Sequence, residues 1–519
     1  MQRHLEVVTS VLTIIVLSLT VYSLRLRGHF VADDHFIFYR LQQDGAFGFA
    51  TYPPTSFFRP LISLHYYLDY LLWGMSPLAS HAVNLVWHIV CGLSVWLLAQ
   101  RVLARWGWLH TPARGAALVA AQLFVVLPAN VEAVAWFAAR ADMVATAGAL
   151  GALLLLMRFQ ERGCRLSYAG ALACFAAGLL CKESLLTFPL TAWLWLRRLG
   201  TADAGRLTLP FWGVLLVYWA MRTAVVQGWG AYPDAWATLQ RPWLLVVNLL
   251  AYLFQMGMPA ILYGLGRDLW DTLLWGMWLT GVGLIFWHAR RTPPVRARPV
   301  NWLLLAGWVL LALLPVLMFK PSPLYFLNSR YSYLASAFAM VGVGAWLSQR
   351  ARLRRGQRRV PAVAVGLLFL AYYSGTLRQA SVWREAGAIA HSSVLSLRNA
   401  PTDKPLVILS LPDHHRGAYI WRVSLREGVA VLLPERASQP IYALSRFTMR
   451  LQADVRVQYT HGVATLSSPH DIFLLPEDLR PPPGDEPMVL PDKVVIPMSV
   501  LRQGVILGYE KGKFVTLTP

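Results

Sequence analysis

Acid is scarce in this chain. Lys and Arg outnumber Asp and Glu by 47 to 26, and charged residues of both signs make up only 14% of the 519. With 56% hydrophobic residues and 22 tryptophans, so small a charged fraction excludes an ordinary soluble enzyme and describes a polytopic membrane protein. Cysteine is nearly absent. Cys91, Cys174 and Cys181 fall in apolar runs and Cys164 in a basic loop, so the C-terminal part holds none and a disulfide framework there is excluded. No A-x-A-like cleavage site follows the first apolar run, residues 7–24, which therefore reads as an uncleaved anchor rather than a signal peptide. Nor do the last 120 or so residues carry a 34-residue helical repeat.

The basic residues that are present are not spread evenly. Nineteen arginines lie in five short loops: Arg101, Arg105 and Arg114; Arg158, Arg162 and Arg165; Arg197, Arg198 and Arg206; Arg290, Arg291, Arg296 and Arg298; and the run from Arg350 to Arg359. Glu161 and Asp203 are the only acids among them. Basic loops stay in the cytoplasm, so the +21 net charge fixes membrane orientation and calls for no nucleic acid. The pattern predicts eleven crossings, at 7–24, 81–100, 115–129, 143–157, 167–181, 184–196, 208–224, 269–287, 301–318, 331–347 and 360–378, with the N-terminus cytoplasmic. Residues 61–73 and 243–265 would reverse a basic loop if they crossed. The first is short and carries His65 and Asp69, the second is interrupted by Gly257, Pro259 and Gly264, and both are expected on the outer surface or as re-entrant pieces.

This topology gathers Asp33, Asp34, Arg59, Glu132, Arg140, Asp142, Lys182, Glu183 and Arg330 at the outer ends of the spans. Charges beside transmembrane helices are costly and mark substrate or ion sites. Plainer readings stand beside that one: Lys182 and Glu183 as an interfacial anchor, Arg330 in NSRYSYL as a helix anchor, and Asp34 as an N-cap for FIFYRLQQ. Asn84 and His88, one turn apart, suit interhelical hydrogen bonds better than metal binding. A carboxylate pair outside the bilayer, cations beside it and a helical bundle open to lipid fit sugar transfer from a polyprenyl phosphate. One carboxylate takes the proton of the attacking hydroxyl, and the cations stabilise the leaving phosphate.

The sequence also resembles the multi-span family C (GT-C) glycosyltransferases, most closely the transmembrane and tetratricopeptide-repeat O-mannosyltransferases and their bacterial relatives. The likeness lies in VADDHFIFY (31–39), FFRPLISLHYYLDYLLWG (57–74), HAVNLVWHIV (81–90), LPANVEAVAWFAARADMVA (127–145), LLCKES (179–184) and NSRYSYLAS (328–336). It implies a GT-C catalytic domain over residues 1–378, with a first outer loop at 25–80, a second at 129–142 and an outer or re-entrant segment at 225–268. It makes Asp33 the catalytic base, with Asp34 as the immediate alternative. Glu132, Arg140 and Asp142 would orient the acceptor or a divalent metal, though no strong metal-ligand spacing is present. Lys182, Glu183, Arg330, Tyr331 and Arg59 would serve the lipid-phosphate donor, Lys as a mobile point charge and Arg as a fork.

The resemblance ends near residue 378. A linking helix, 379–400, precedes residues 401–519, where PLVILSLP, GVAVLLP, DVRVQYTHGVATLSSP, DIFLLP, KVVIPM and VILGYEKGKFVTLT read as strands and PPPGDEP as a loop. The expected fold is thus an α-helical polytopic membrane protein with a small C-terminal β-rich periplasmic domain, an acceptor-binding or lid module. In LPDHHRGAYIWR, His414 and His415 read as a solvated pair at a turn rather than metal ligands. The missing repeats and abundant Arg and Ala point to a bacterial inner membrane. The expected partners are a polyprenyl-phosphate sugar, a hydroxyl-bearing protein, glycan or lipid acceptor, and the bilayer. A flippase for lipid-linked saccharides and a non-catalytic scaffold are the rival functions; neither explains acids and cations gathered on one face without an internal repeat.

Overall fold

A computed structural model describes residues 2–51, 57–106, 111–198, 200–226, 237–291, 301–322, 324–350, 359–443, 446–449, 456–460, 463–467, 488–489, 493–497 and 504–517. DIFLLP, PPPGDEP, Arg296, Arg298 and the arginines between 351 and 358 lie outside the described residues. Contacts divide the chain into two units, the first of residues 1–24, 46–73 and 79–380, the second of residues 25–45, 74–78 and 381–519.

Along the chain the helices are α1 (Gln2–Leu26), α2 (Asp33–Asp44), α3 (Pro60–Trp73), α4 (Pro77–Arg105), α5 (Thr111–Val125), α6 (Val131–Ala135), α7 (Arg140–Arg162), α8 (Arg165–Cys181), α9 (Phe188–Arg198), α10 (Ala204–Val226), α11 (Trp243–Gly257), α12 (Leu269–Arg291), α13 (Trp302–Leu313), α14 (Tyr333–Arg350), α15 (Arg359–Ser396) and α16 (Leu425–Leu432). Every one of the eleven segments expected to cross is helical. Among the described residues, six helices are long and apolar enough to span hydrocarbon, and α5 with Pro128–Ala135, bent by 52°, would make a seventh. Residues 165–181, 243–257 and 302–316 form shorter apolar helices. The chain is a multi-pass membrane protein on this count. α11, at about 1.5 Å per residue, falls short of the hydrocarbon thickness of about 30 Å.

In the first unit α7 and α8 pack backbone to backbone. A Cβ on Gly148 would stand 2.8 Å from the Cys174 carbonyl oxygen, so only glycine admits this approach. At one end of the unit Glu6 pairs with Arg114 (2.7 Å), Arg101 with Glu161 (3.3 Å), and Gln160 donates to Thr201 (3.1 Å). The N-terminal segment thus shares an end with three of the basic loops.

The second unit adds the strands β1 (Leu406–Ile408), β2 (Leu411–His415), β3 (Ala418–Tyr419), β4 (Ile441–Ala443), β5 (Arg446–Met449), β6 (Arg456–Thr460), β7 (Val463–Ser467), β8 (Met488–Val489), β9 (Lys493–Pro497), β10 (Val505–Glu510) and β11 (Lys513–Thr516). β1 lies parallel to β4 and β10, β11 closes β10 as a hairpin, β2 pairs with β3 and β5, and β6, β7, β9 and β8 form a third sheet. Two expectations are corrected here. GVAVLLP is not a strand: most of it forms α16, because Leu425, Gly428 and Val429 recur at helical spacing on the buried face. The two histidines are not a solvated pair at a turn. The turn falls one step later, at Arg416 and Gly417, both left-handed (φ 47° and 96°) as a two-residue hairpin requires. Both histidines therefore belong to β2; His414 is buried and accepts from the Gly417 N–H, while His415 contacts Glu385 at 3.3 Å.

Candidate functional site

The chain break after α5 builds one wall of the site. Pro128 stops the helix, and the short, wholly buried α6 presents Glu132 in its first turn. Glu132 accepts from the Asn328 N–H (3.3 Å), the Ser329 hydroxyl (3.2 Å), the Arg330 N–H (3.0 Å) and the Arg330 guanidinium. Those amides belong to the start of a 3-10 turn, Ser329–Ser332, whose N–H groups would otherwise be orphaned. Arg330 in turn lies over the rings of Trp136 (4.8 Å) and Tyr331 (4.4 Å) and donates to the Tyr331 hydroxyl (2.9 Å).

Lys182 sits just past α8, where the backbone becomes extended (φ −161°). Its ammonium reaches Asp142 Oδ1 at 2.5 Å and lies 4.7 Å from the Tyr331 ring. Burial pulls the Lys182 ammonium down to about 8, and Asp142 offsets part of that fall. Arg59 and Arg330 press the same way as burial, so both bear on the Lys182 ammonium. Arg59 makes a two-pronged pair with Glu183 (2.9 and 2.7 Å). Burial raises the Glu183 carboxyl, and the Arg59 guanidinium more than offsets it, holding the group at about 2.

Arg59, Glu132, Asp142, Lys182, Glu183, Arg330 and Tyr331 therefore form one cluster. Each of its three cations is matched to a carboxylate. Two capacities remain unused among the described residues: the Lys182 ammonium makes a single hydrogen bond, and Asp142 Oδ2 is buried without a partner. No three His, Cys, Asp or Glu side chains among the described residues are arranged to hold a metal.

Arg140 belongs elsewhere. It is fully buried and bound to Asp69 (2.6 Å), Asn84 Oδ1 (2.6 Å), His65 Nδ1 (3.2 Å) and the Ser80 carbonyl (2.9 Å). Asn84 donates to the carbonyls of Val134 and Trp136, and His88 contacts the Tyr333 hydroxyl (2.6 Å) and the Val125 carbonyl (3.2 Å), so both join neighbouring elements.

Asp33 and Asp34 lie in the second unit and open α2. Asp34 is not the N-cap. It stands inside the first turn, fully buried, and its Oδ2 reaches back to the Val31 N–H (3.0 Å), because Ala32 already occupies the boundary. Asp33 is only partly buried.

α11 lies in the segment expected on the outer surface or as a re-entrant piece, and its polar residues were not among the expected site residues. Its Asn248 donates to the Leu317 carbonyl, Tyr252 to that of Phe319 and Gln255 to those of Ser322, Tyr325 and Leu327. These bonds satisfy an irregular backbone segment that leads to Arg330. The signal was available as three polar residues spaced four and three apart on an otherwise apolar helix.

No family model matches the chain. It is 37% identical over 129 residues to the protein O-mannosyl-transferase Tmtc1 of Drosophila melanogaster, which covers 25% of this chain and 14% of that protein. Over 107 residues it is 36% identical to the protein O-mannosyl-transferase TMTC1 of Homo sapiens, covering 21% and 11%. The chain resembles protein O-mannosyl-transferases. The expected resemblance to this group is thereby shown, over a stretch that spans between a tenth and a seventh of these relatives' length and is too short to hold all six sequence pieces. Among solved structures, ArnT from Cupriavidus metallidurans in the apo state aligns with a TM-score of 0.42 at 14% identity, over 83% of this chain and 85% of that one. The same protein bound to undecaprenyl phosphate gives 0.40 at 14% identity, over 88% and 96%.

Proposed function

We propose that this protein is an inverting membrane glycosyltransferase that moves one sugar from a polyprenyl phosphate to a hydroxyl acceptor, a protein Ser/Thr or an envelope glycan or lipid. The observation that carries the reading is the cluster of Arg59, Lys182 and Arg330, in which both arginines act on the lysine and each cation, set beside an aromatic ring, is held by one carboxylate. Lys182 has spare N–H capacity for a phosphate oxygen, and Tyr331 and Trp136 keep Arg330 flat and oriented. The unpartnered Asp142 Oδ2 suits a sugar or acceptor hydroxyl.

In the reaction the acceptor oxygen attacks the anomeric carbon while the bond from that carbon to the phosphate oxygen breaks. The electron pair leaves with the lipid phosphate, where the cations stabilise it. The hydroxyl proton passes to a carboxylate. Asp33 is that base on the family resemblance, and its partial exposure supports it over the buried Asp34. The shared end of the N-terminal segment and the basic loops supports an N-terminus in the cytoplasm, with the reaction on the periplasmic face of a bacterial inner membrane.

Purified protein in lipid nanodiscs, given labelled polyprenyl-phosphate mannose and a hydroxyl acceptor, is expected to release polyprenyl phosphate. Asp33→Asn should slow release by about 10² or more, the usual scale for a lost general base, with donor binding kept. Full turnover in a folded Asp33→Asn, Asp34→Asn double variant would sink the mechanism; movement of the donor across a bilayer without its cleavage would make the protein an exporter instead.

A further inference from the structure

The second unit joins the segment that carries Asp33 to residues more than 350 positions later, and the contacts are of a specific kind. Ala32, the residue before Asp33, is left-handed (φ 41°), a conformation that an alanine adopts only when its surroundings impose it. Its N–H donates to the Ile420 carbonyl (2.9 Å). Next to that bond Trp421 packs on His35 with ring centroids 5.0 Å apart, and the Trp421 N–H is fixed by the Ser393 hydroxyl (2.8 Å). Burial lowers the His35 imidazole to about 4, so it is neutral at pH 7 and suited to an aromatic stack.

Glycines make room on two sides. A Cβ on Gly428, inside α16, would lie 2.6 Å from the Trp421 ring and 3.6 Å from His35. A Cβ on Gly387, inside α15, would lie 2.5 Å from the His29 carbonyl oxygen. That carbonyl also accepts both guanidinium nitrogens of Arg25 (3.1 Å each), and the His29 ring stacks on His391 at 4.1 Å. The turn from residue 28 to residue 35 is thus gripped from three elements, beside the buried Ile37, Phe38 and Leu41 of α2.

We propose that the C-terminal region is a positioning device for Asp33, holding the first turn of α2 through Ile420, Trp421 and Gly428, rather than an acceptor-binding or lid module. This rests on the reading of Asp33 as the general base. None of the three touches a reacting atom; they set the backbone from which the carboxylate projects. A base displaced by about 1 Å loses rate while substrate binding elsewhere is untouched.

The test is Gly428→Val in the full-length protein, with Trp421→Phe as the conservative control. A residue larger than glycine is ordinarily welcome inside a helix, so damage from Gly428→Val reports the clash with Trp421 and not the helix. Expected for Gly428→Val are at least a tenfold fall in kcat, a donor KM within twofold of wild type, and at least tenfold faster hydrogen exchange at the Ala32 amide. Trp421→Phe keeps an aromatic ring on His35 but loses the N–H that Ser393 fixes, and should move kcat and Ala32 exchange in the same direction as Gly428→Val by a smaller factor, with donor KM within twofold. Should Gly428→Val fail to insert, Gly428→Ala carries a smaller clash and is read in the same way. Unchanged exchange at Ala32, or faster exchange with unchanged kcat in an enzyme that Asp33→Asn inactivates, overturns the proposal. If Asp33→Asn is instead active, the base assignment has failed, and the exchange data alone decide whether the C-terminal region holds this turn.

Discussion

Two groups of buried charge in the helical unit look alike in the sequence and differ in how completely they are bonded. Arg140 spends its guanidinium on Asp69, Asn84, His65 and Ser80 and has its faces against Tyr66 and Phe137. Lys182 has one hydrogen bond and one ring; among the described residues Asp69 Oδ2 and Asp142 Oδ2 alike are buried without a hydrogen bond, so the difference lies in the two cations. A saturated charge has nothing left to offer a ligand, so the first group holds elements together. An unsaturated one keeps hydrogen-bonding capacity that a ligand can use, which is the ground for proposing Lys182 as a donor-phosphate residue. On this contrast we propose Arg140, expected from the sequence at the acceptor site, as part of the frame that holds Val134 and Trp136 through Asn84.

The comparison breaks most visibly at Arg140. Arg140→Ala strands the buried Asp69 carboxylate and is expected to cost about 3–5 kcal/mol, the range for removing one partner of a buried pair. Thermal unfolding in detergent measures it, and the loss should appear with the donor absent. A double Arg140→Met, Asp69→Leu variant removes both charges and should recover much of the stability. Should Arg140→Ala instead unfold like wild type while raising donor or acceptor KM, Arg140 is a binding residue and the distinction fails.

Lys182→Ala tests the other side. A charge-assisted hydrogen bond contributes about 1.5–3 kcal/mol, so the donor dissociation constant should rise roughly 10- to 100-fold. Acceptor KM should stay near wild type. Polyprenyl phosphate binding, followed by scintillation proximity or by a ligand-induced melting shift, separates this from lost folding. An unchanged donor affinity would leave Lys182 as an interfacial anchor.

The charges of this cluster were legible because each one flanks an apolar run in a chain short of acid, and helical periodicity was strong enough to give every expected span its helix. Their pairing was not. Glu132 and Arg330 are 198 positions apart, Arg59 and Glu183 124, Lys182 and Asp142 40, and a single sequence has no signal linking such positions. The Asn248, Tyr252 and Gln255 stripe was visible but had no meaning until the irregular segment beside it was known. GVAVLLP misled because a short apolar run has no unique period, and its glycine at 428 reflects the Trp421 ring rather than a turn. The grip of Ile420 and Trp421 on Ala32 was equally hidden, since a left-handed alanine has no sequence signature.

The smallest expected effect sharpens the comparison through pH. Burial, only partly offset by Asp142, brings Lys182 down to about 8, so its charge is mostly present at pH 7 and mostly gone at pH 9. Donor affinity should fall by roughly tenfold across that interval, following the protonated fraction of a group with that midpoint. Lys182→Arg keeps its charge throughout and should remove this dependence, whatever its affinity at pH 7. The sign for folding is opposite. An unfolded lysine holds its proton to about 10.5, so between pH 8 and 10.5 the unfolded state binds more protons, and this group's contribution to stability rises with pH. Melting curves and donor titrations on one preparation should therefore diverge above pH 8 in the wild type and lose that divergence in Lys182→Arg; parallel curves in the wild type would mean that Lys182 keeps its proton and that Asp142 saturates it as fully as Asp69 saturates Arg140.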